Sequence, residues 1–439
     1  MGILRVSMTV DHPSSLIPPS WLLPHSFLSC LFRWITVATA LLATLTTTTQ
    51  TAPQLNPIPS SPFRRVAIIG EGVIGLSTAT AILELQQTHP EEVGTISIDV
   101  FSDLDWDHTL SKGIAGLFRI DKGTRINRIY GNETFSRHAR LFGGVSGVQL
   151  VFGHIISDKK DVLEQQRASY ADIVYNFRFL EPREIRQQFL LEDYAVDVIH
   201  YTAYTSEGLR YCPFMKERLI SQGVNSHRRH IDTVDQLGAV GYHVVINCAG
   251  LQGGNVANDG DHERVFPVRG VIIKVDAPWQ KHFLHRDSST FTIPVIDGVY
   301  VGTVKQDNVS DMETTNEEIE EIFGRYVRLQ PSMRNVAILS RDRVRVASVK
   351  RNAANGRTFT VVHNYGHGGN GFTLRYASSF HAARLALDMD TRMPPMSATV
   401  TLTAPVKTQN NEDEMYLASD DKTIEMLEKS AEEASLFAL

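Results

Sequence analysis

Cysteine is scarce in this sequence, and its spacing excludes two common classes of stabilised domain. The 439 residues include three cysteines, Cys30, Cys212 and Cys248, with no C-x-x-C pair and no metal-ligand spacing. This pattern argues against a disulfide framework and against a zinc site, so we expect no metal centre. Cys248 follows an apolar run, which is typical of a packed core thiol rather than a nucleophile.

The chain also lacks an excess of positive charge and any evident internal repeat. Lysine and arginine number 43 against 49 aspartates and glutamates, which gives a formal net charge of -6. Without a basic stripe, nucleic acid is not an expected partner. The length suits two interleaved domains with tails, and the apolar content of 42% is ample for a core.

Long apolar runs are missing as well, apart from two pieces near the start, residues 21–32 and 34–45. The second piece has about the length of a signal-peptide hydrophobic region and is short for a membrane span. We therefore interpret residues 1–63 as a leader with a secretory signal. The alternatives are a signal anchor, which alone would give the chain a membrane partner, and a disordered leader.

The other end of the chain is expected to be a solvated acidic tail, residues 396–439. It ends Ser-Leu-Phe-Ala-Leu, which is not a peroxisomal tripeptide of the S-K-L type. Together with the leader, this favours the secretory pathway or the extracellular space. Peroxisome and cytoplasm are the alternatives.

The folded body begins with a glycine-rich turn between an apolar strand and a helix. Gly70, Gly72 and Gly75 form G-x-G-x-x-G after the run at 66–69. The first glycine allows a tight turn, the second lets a pyrophosphate approach the backbone, and the third lets helix and strand pack closely. A second strand at 96–101 leads to Asp103, where an acid typically holds the adenosine ribose. The pattern predicts a dinucleotide site.

A second glycine-rich turn lies near the end of the body, in residues 361–373. Its glycines are Gly366, Gly368, Gly369 and Gly371, and it stands between a predicted strand and a predicted helix. Backbone N–H groups in such a turn can bond electron-rich atoms and stabilise negative charge. Two such turns, far apart in sequence, fit one extended FAD, with the pyrophosphate at the first and the isoalloxazine at the second.

The stretch His363-Asn364-Tyr365-Gly366-His367-Gly368-Gly369-Asn370-Gly371 resembles the C-terminal signature of the FAD-dependent D-amino-acid oxidase family, which includes D-aspartate oxidases. Supporting stretches lie at 73–78, 246–250, 274–279 and 392–395. The resemblance implies an α/β fold in which a Rossmann-type FAD-binding domain is interleaved with a substrate domain built on an antiparallel β-sheet. We expect the body to span 64–395, with FAD-binding parts at about 64–130, 200–270 and 340–390, and substrate parts at about 131–199 and 271–340.

The same resemblance implies FAD as cofactor and oxidative deamination of a D-amino acid, with O2 reoxidising the flavin to give H2O2. A homodimer is a further expectation. The residues expected to bind the cofactor are Gly70, Gly72, Val73, Ile74, Gly75, Asp103, Ser111, Lys112, Gly250, Gly368, Gly369, Gly371, Phe372 and Thr373. If the Cα hydrogen leaves as hydride, no protein base is needed there, so the substrate side is expected to supply orientation.

A substrate carboxylate calls for an arginine, which can bind it with two parallel hydrogen bonds. In the family this arginine closes a G-x-R-P-x-R stretch, which corresponds here to 340–345. That register predicts Arg345, although Arg341 and Arg343 stay open because the glycine and proline of the pattern are missing. Surface arginines on an edge strand are the alternative. Arg345, Arg286 and Gly369 are the expected catalytic residues.

The remaining expectations concern the substrate pocket. Phe291 stands where the family carries a carboxylate-binding tyrosine, and Phe cannot hydrogen-bond, so Tyr300 is a candidate replacement. Arg286 resembles the cation that precedes an aspartate in D-aspartate oxidases, and Lys305 lies near a second one. Solvated loop charges are the alternative for both. The expected substrate-binding residues are Arg345, Arg343, Arg286, Phe291, Tyr300, Lys305 and Gly369.

Three functions compete. Oxidation of acidic D-amino acids, such as D-aspartate and D-glutamate, is favoured by Arg286, and oxidation of neutral ones is the second. A catalytically degenerate flavin-fold binding protein is the third, suggested by Phe291 and the altered arginine stretch. A related amine oxidase acting on sarcosine or glycine is less favoured, because such enzymes share the fold but lack the 363–371 stretch.

Overall fold

The computed structural model describes residues 64–143, 146–191, 193–260, 262, 268–287, 290–307, 314–331, 349–352 and 357–392. These residues belong to one unit of the chain, Pro57–Leu439. Only the backbone is described at Val268, Lys305, Asp307 and 349–352. The predicted leader, the acidic tail and the three candidate arginines Arg341, Arg343 and Arg345 lie outside the described residues. Within the described ranges, no helix has the length and apolarity that a membrane span requires.

Strands and helices are mixed along the described chain. The strands are β1 (Arg64–Ile69), β2 (Ile96–Ser102), β3 (Val148–Ser157), β4 (Tyr175–Phe179), β5 (Asp197–Ser206), β6 (Asn225–Arg228), β7 (Val244–Asn247), β8 (Val268–Val275), β9 (His282–Arg286), β10 (Thr290–Val295), β11 (Gly298–Asp307), β12 (Val349–Asn352) and β13 (Thr358–His363). The helices are α1 (Val73–Thr88), α2 (Pro90–Val93), α3 (Arg125–Leu141), α4 (Lys160–Tyr170), α5 (Pro182–Gln188), α6 (Gly208–Ser221), α7 (Val234–Ala239), α8 (Gly253–Ala257), α9 (Asn316–Leu329) and α10 (Gly371–Ala386).

A six-stranded sheet carries both glycine-rich turns. Its strand order is β12-β13-β7-β1-β2-β6, and every pairing is parallel except that between β12 and β13. The central residues of β1, Val66, Ala67 and Ile68, are fully buried, as expected of a strand covered on both faces. Because these strands run parallel, the carboxyl ends of β1, β2, β7 and β13 lie along one edge of the sheet.

A seven-stranded sheet forms the second layer. Its order is β4-β5-β3-β9-β10-β11-β8, and its pairings are antiparallel except that of β3 with β9. Helix α9 covers part of one face, where Ile322 and Tyr326 pack against Val271, Ile273 and Val299. The expected fold class, a Rossmann-type sheet combined with a largely antiparallel sheet, is confirmed.

The helix that follows the first glycine-rich turn is the centre of the core. Helix α1 packs against α10 and against α6, and its residues Ala79, Ile82 and Leu85 are buried in the main hydrophobic cluster. Burying such side chains stabilises the fold by about 1.5–3 kcal/mol for each large aliphatic residue. The core therefore holds the two glycine-rich turns in place, since α1 begins at one turn and α10 at the other.

Some local features differ from the expectations. The short helix α2 follows α1, and helix α4 follows β3. The second sheet includes all of β5 and so extends to Ser206, beyond the division at about 200. Helix α3 falls mostly in the expected substrate part, yet it packs against α10. The positions of β5 and α3 depend on contacts between residues that are distant in the sequence. The division into two domains stays a prediction.

One face of the second sheet carries histidines that make the stability of the fold depend on pH. His154 on β3 lies opposite His200 on β5, with 3.3 Å between Nε2 and Nδ1. Burial, and then the nearby His200 and His282, lower the pKa of His154 to about 3 from an ordinary 6.5. The unfolded chain therefore binds more protons than the folded chain between these pH values, and folding is weakened as the pH falls below about 6.5.

We expect the variant His154→Gln to lose part of this acid sensitivity. For a fully buried group, the free energy of unfolding would fall by about 1.4 kcal/mol for each pH unit below its ordinary pKa. Because the ring of His154 is partly exposed, we expect a fall of about 1 kcal/mol per pH unit. Urea unfolding near pH 5 and pH 7.5 measures the change. The free energy of unfolding should fall less between these pH values in the variant than in the wild type. Equal losses in the two proteins would contradict the assignment.

Candidate active site

The candidate site lies along the edge of the six-stranded sheet where its parallel strands end. Backbone hydrogen bonds join the ends of neighbouring strands: the N–H of Gly70 donates to the carbonyl of Phe101 (2.8 Å), that of Cys248 to Ile69 (2.8 Å), and that of Asn364 to Asn247 (2.8 Å). The glycine-rich turns after β1 and β13 are thereby held on either side of the β7 end. Residues from opposite ends of the folded body meet here.

The first turn has the geometry that its glycines predict. Gly70 has φ +103°, and a Cβ at this position would lie 2.4 Å from the carbonyl oxygen of Cys248. A Cβ at Gly75 would lie 1.8 Å from the carbonyl oxygen of Gly70. The tight turn and the close packing of α1 against β1 are therefore confirmed.

The first turn of α1 is held from the side by Ser111. The buried N–H of Val73 donates to Ser111 Oγ at 2.9 Å, and a Cβ at Gly72 would lie 3.0 Å from the same oxygen. Ser111 thus lies against the turn, and its contact with the cofactor stays a prediction. Lys112 instead donates to Asp107 at 2.6 Å in an exposed ion pair. Its role in cofactor binding stays a prediction.

A cavity of about 280 Å3 opens beside this turn, at the ends of β1, β2 and β6. Its walls include Ser102 and Leu104, on either side of Asp103, and also Glu71, Trp106, Thr109, Lys216 and Arg228. The carboxylate of Asp103 is 2.7 Å from Nδ1 of His230, and this contact raises the pKa of His230. The acid predicted to hold a ribose is therefore already bonded to a histidine.

Other charged residues around this cavity were missed by the sequence analysis. Glu71 lies within the glycine-rich turn itself, where it accepts hydrogen bonds from Lys216 Nζ (2.7 Å) and Ser226 Oγ (2.6 Å). Asp105 pairs with Arg228 at 2.9 Å. The position of Glu71 inside the motif was the available signal, but its partners on α6 and β6 are distant in sequence.

The polar residues of the second turn hold it in place. Asn364 Nδ2 donates to Thr78 Oγ1 (3.1 Å) and to Ser379 Oγ (3.3 Å), which ties the turn to α1 and α10. His367 Nε2 lies 3.0 Å from Ser378 Oγ, and burial lowers the pKa of His367 to about 3, so the ring is neutral. These side-chain hydrogen bonds hold the turn in place, so its glycine backbone can stay open to a ligand.

The glycines of the second turn leave space at the sheet edge. Gly368 has φ +55°, and a Cβ built there meets nothing within 4 Å; the same holds for Gly250, with φ +58°. A Cβ at Gly369 would lie 3.1 Å from Asp121 Oδ2. Gly371 begins α10, whose first turn buries Phe372 and Thr373. The open backbone at Gly250 and Gly368 is a place where a planar group can approach.

The second sheet supplies a wall beside this edge, because Ile293 and Tyr300 cluster with Ala115 and Leu117, which follow Ser111 in the chain. Its register places His285, Phe291 and Gly302 next to one another on one face, and Ile293 and Tyr300 on the same face. The ring of Phe291 stacks on His285 with centroids 5.5 Å apart, and it fills the space that a Cβ at Gly302 would take. Tyr300 is buried, with Lys274 Nζ 5.7 Å from the centre of its ring. The wall is largely aromatic.

The structure does not bring all predicted pocket residues together. Arg286 is adjacent to His285 on β9 and pairs with Thr290, so strand alternation directs it to the face opposite Phe291. It forms an ion pair with Asp287 at 2.8 Å. The side chain of Lys305 is not among those described. The substrate roles of Arg286 and Lys305 therefore stay predictions. The register of the β9–β10 hairpin, which sets the face that Arg286 occupies, could not be derived from the sequence.

A further cation lies beside this wall. Arg119 follows a short stretch that pairs with β5 through Leu117 and Thr205, and its Nη2 donates to Asp121 at 2.6 Å. Burial alone would lower the pKa of Arg119, but Asp121, Tyr170 and Tyr201 raise it, so the guanidinium is firmly charged. Arg119 was not predicted from the sequence, since only its long-range contacts distinguish it from a surface arginine.

Comparison with known proteins decides the family. The sequence profile described as FAD dependent oxidoreductase matches residues 65–385. The chain belongs to this family. D-aspartate oxidase 2 of Caenorhabditis briggsae is 43% identical over 334 residues, which cover 73% of this chain and 97% of the relative. D-aspartate oxidase 1 of Caenorhabditis elegans is 45% identical, covering 73% and 96%.

Solved structures agree with this family member's fold. Glycine oxidase from Geobacillus kaustophilus superposes with a TM-score of 0.56 and 15% identity, covering 77% of this chain and all of that one. At this identity the likeness concerns the fold alone. The expectation of a D-aspartate oxidase-like member of the family, with FAD as cofactor, is confirmed by the profile and the two Caenorhabditis relatives.

The residues of this family member fit FAD. The close-packed turn at Gly70 and Gly75 and the N-terminus of α1 suit a pyrophosphate, and the cavity beside β2 and β6 suits its adenosine end. The open backbone at Gly250 and Gly368 suits a flavin ring. These residues would hold FAD, whose flavin would supply the acceptor for the substrate's hydride.

Proposed function

We propose that the chain catalyses the oxidative deamination of D-amino acids, with acidic D-amino acids as the preferred substrates. The products are a 2-oxo acid, ammonia and H2O2, formed with O2 and water. The observation that carries the proposal is the identity of 43% and 45% with two D-aspartate oxidases over nearly their whole length. The second glycine-rich turn is fixed in place by hydrogen bonds of Asn364 and His367. This supports catalysis rather than binding alone, because the fixed turn leaves backbone groups open to the flavin.

The chain contributes orientation and a dry site to this reaction. FAD, when bound, supplies the acceptor for the hydride that leaves the substrate's Cα. No side chain is then needed as a base at that carbon. The stacked rings of His285 and Phe291 are the proposed wall that keeps water from the reacting carbon and limits how the substrate can lie. An arginine of the 341–345 stretch is the proposed partner of the α-carboxylate, as predicted from the sequence.

Release of H2O2 by the full chain, loaded with FAD, tests the proposal. We expect D-aspartate and D-glutamate to exceed D-alanine and D-methionine in kcat/KM by roughly tenfold or more, the range that one well-placed charged contact gives. L-aspartate, glycine and sarcosine serve as controls and should release almost none. Preference for D-alanine and D-methionine would replace the proposal with a neutral D-amino-acid oxidase. A flavin-loaded protein that oxidises no member of the panel would favour a binding protein.

A further inference from the structure

We propose that Arg119 is the cation that binds the side-chain carboxylate of an acidic D-amino acid, with His285 beside it in the same pocket. The proposal rests on the function proposed above and names the residue that sets its preference for acidic substrates. Arg119 is a predicted contact of the substrate itself rather than of the flavin. This is the role that the sequence predicts for Arg286, which lies on the other face of the second sheet.

The backbone places Arg119 between the two layers. The N–H of Phe118 donates to the carbonyl of Tyr204 on β5 at 2.9 Å, which fixes the stretch before Arg119 to the second sheet. The N–H of Arg119 itself donates to Thr373 Oγ1 at 3.4 Å, in the first turn of α10. Arg119 is therefore attached on one side to the substrate-facing sheet and on the other to the helix that begins at the second glycine-rich turn.

An ion pair directs the guanidinium to the flavin end of the site. Arg119 Nη2 donates to Asp121 Oδ1 at 2.6 Å. The other carboxylate oxygen of Asp121 accepts from Asn370 Nδ2 at 2.9 Å and lies 3.1 Å from the Cβ position of Gly369. The backbone N–H of Asp121 also donates to Asn370 Oδ1 at 3.1 Å. The guanidinium is thus one carboxylate away from the turn expected to face the isoalloxazine.

A buried histidine of the second sheet lies within the electrostatic reach of Arg119 and has a ring nitrogen without a partner among the described residues. His285 is buried, and its Nε2 makes no hydrogen bond to any residue that the structure describes. Burial, and then the charge of Arg119, lower the pKa of His285 well below its ordinary value, so the ring is neutral. A neutral imidazole beside an arginine can donate to a carboxylate without adding a charge that must be desolvated.

The charge arrangement also suits a dicarboxylic substrate. The hydrogen bond to Asp121 uses one of the five N–H donors of Arg119, whereas a carboxylate needs two parallel donors from one edge of the guanidinium. The side chain is 26% exposed, so a small molecule can reach it. Lys274, a buried cation on the second sheet, already pairs with two carboxylates, those of Glu207 and Asp297.

The variants Arg119→Gln and Arg119→Lys test the inference in the full-length, FAD-loaded enzyme. We expect Arg119→Gln to lower kcat/KM for D-aspartate by roughly 10- to 100-fold, mainly through KM, while D-alanine changes by less than about threefold. Arg119→Lys, which keeps the charge but not the planar fork, should give an intermediate loss. Binding of malonate, followed by the flavin absorbance, should weaken in the same order, whereas binding of acetate should not.

Two further variants make the outcome decisive. Arg128→Gln removes a partly buried arginine that is also 2.6 Å from a carboxylate, and it should change the turnover of neither substrate. Arg286→Gln tests the competing cation. If Arg286→Gln lowers D-aspartate selectivity and neither Arg119 variant does, the inference is overturned and the sequence-based prediction stands. Equal losses for D-aspartate and D-alanine in both Arg119 variants would also overturn it, because they indicate a structural role.

The outcome separates this inference from the proposed function. A wild-type enzyme that prefers neutral D-amino acids contradicts the proposed function, whatever the variants do. A wild-type enzyme that prefers D-aspartate, and keeps that preference in Arg119→Gln and Arg119→Lys, contradicts the inference alone. If Arg119→Gln does not fold, Arg119→Lys and the malonate titration still decide, since the charged side chain preserves the pair with Asp121.

Discussion

The variant Gly75→Ala is expected to be recovered without flavin and with a large loss of stability. The added Cβ would lie 1.8 Å from the carbonyl oxygen of Gly70 and 3.0 Å from its carbon, and both atoms belong to rigid backbone. Helix α1 must therefore move away from β1, which opens the turn and disturbs the packing of α1 on α10. Overpacking of this kind costs about 1–3 kcal/mol or more. The flavin-to-protein ratio and the urea unfolding midpoint measure the two effects.

A matched glycine in another helix provides the control. In Gly324→Ala, on α9, the added Cβ meets nothing closer than Arg328 Nη1 at 3.7 Å. We expect this variant to keep its flavin and to gain up to about 1 kcal/mol, since alanine favours a helix over glycine. Normal flavin content and an unchanged midpoint in Gly75→Ala would show that α1 can retreat without cost, and that the close packing does not maintain the site.

Local patterns made the first half of the site predictable. The apolar run before Gly70, the three glycines and the helix after them specify a strand, a turn and a helix within about 25 residues, and the structure confirms each of them. The second turn was found in the same way, because four glycines between a strand and a helix are unusual. In both stretches, residues that are adjacent in the sequence specify a close approach of the backbone.

Side-chain direction and long-range partners could not be predicted in the same way. Arg286 and Phe291 lie close together in one hairpin, and which face each occupies depends on the register of β9 with β10. Asp103 follows β2 as expected, but its contact with His230 comes from a distant loop. Arg119 gains its position from its neighbours' contacts with β5 and from Thr373, so no local pattern distinguishes it from a surface arginine.

The second large effect is expected from Lys274→Met, which should lower the free energy of unfolding by about 3–5 kcal/mol. Lys274 Nζ contacts Glu207 at 3.2 Å and Asp297 at 2.6 Å, and the side chain of Glu207 is completely buried. Removing the lysine leaves Glu207 with Arg210 as its remaining described ionic contact, at 3.4 Å. A buried carboxylate that has lost its main counter-charge costs far more than an exposed pair. Urea unfolding at neutral pH measures the loss.

The double variant Lys274→Met/Glu207→Gln isolates the cause, because neutralising the buried acid should restore a large part of the lost stability. Lys112→Met, which removes the exposed partner of Asp107, should cost less than about 1 kcal/mol. If Lys274→Met costs no more than Lys112→Met, Lys274 is not committed to its acids, and its position beside Tyr300 would make it a rival to Arg119 for the substrate carboxylate. A large loss that the double variant restores would show that Lys274 stabilises the fold, and Arg119, which pairs with Asp121 and is partly exposed, would remain the proposed cation for the substrate carboxylate.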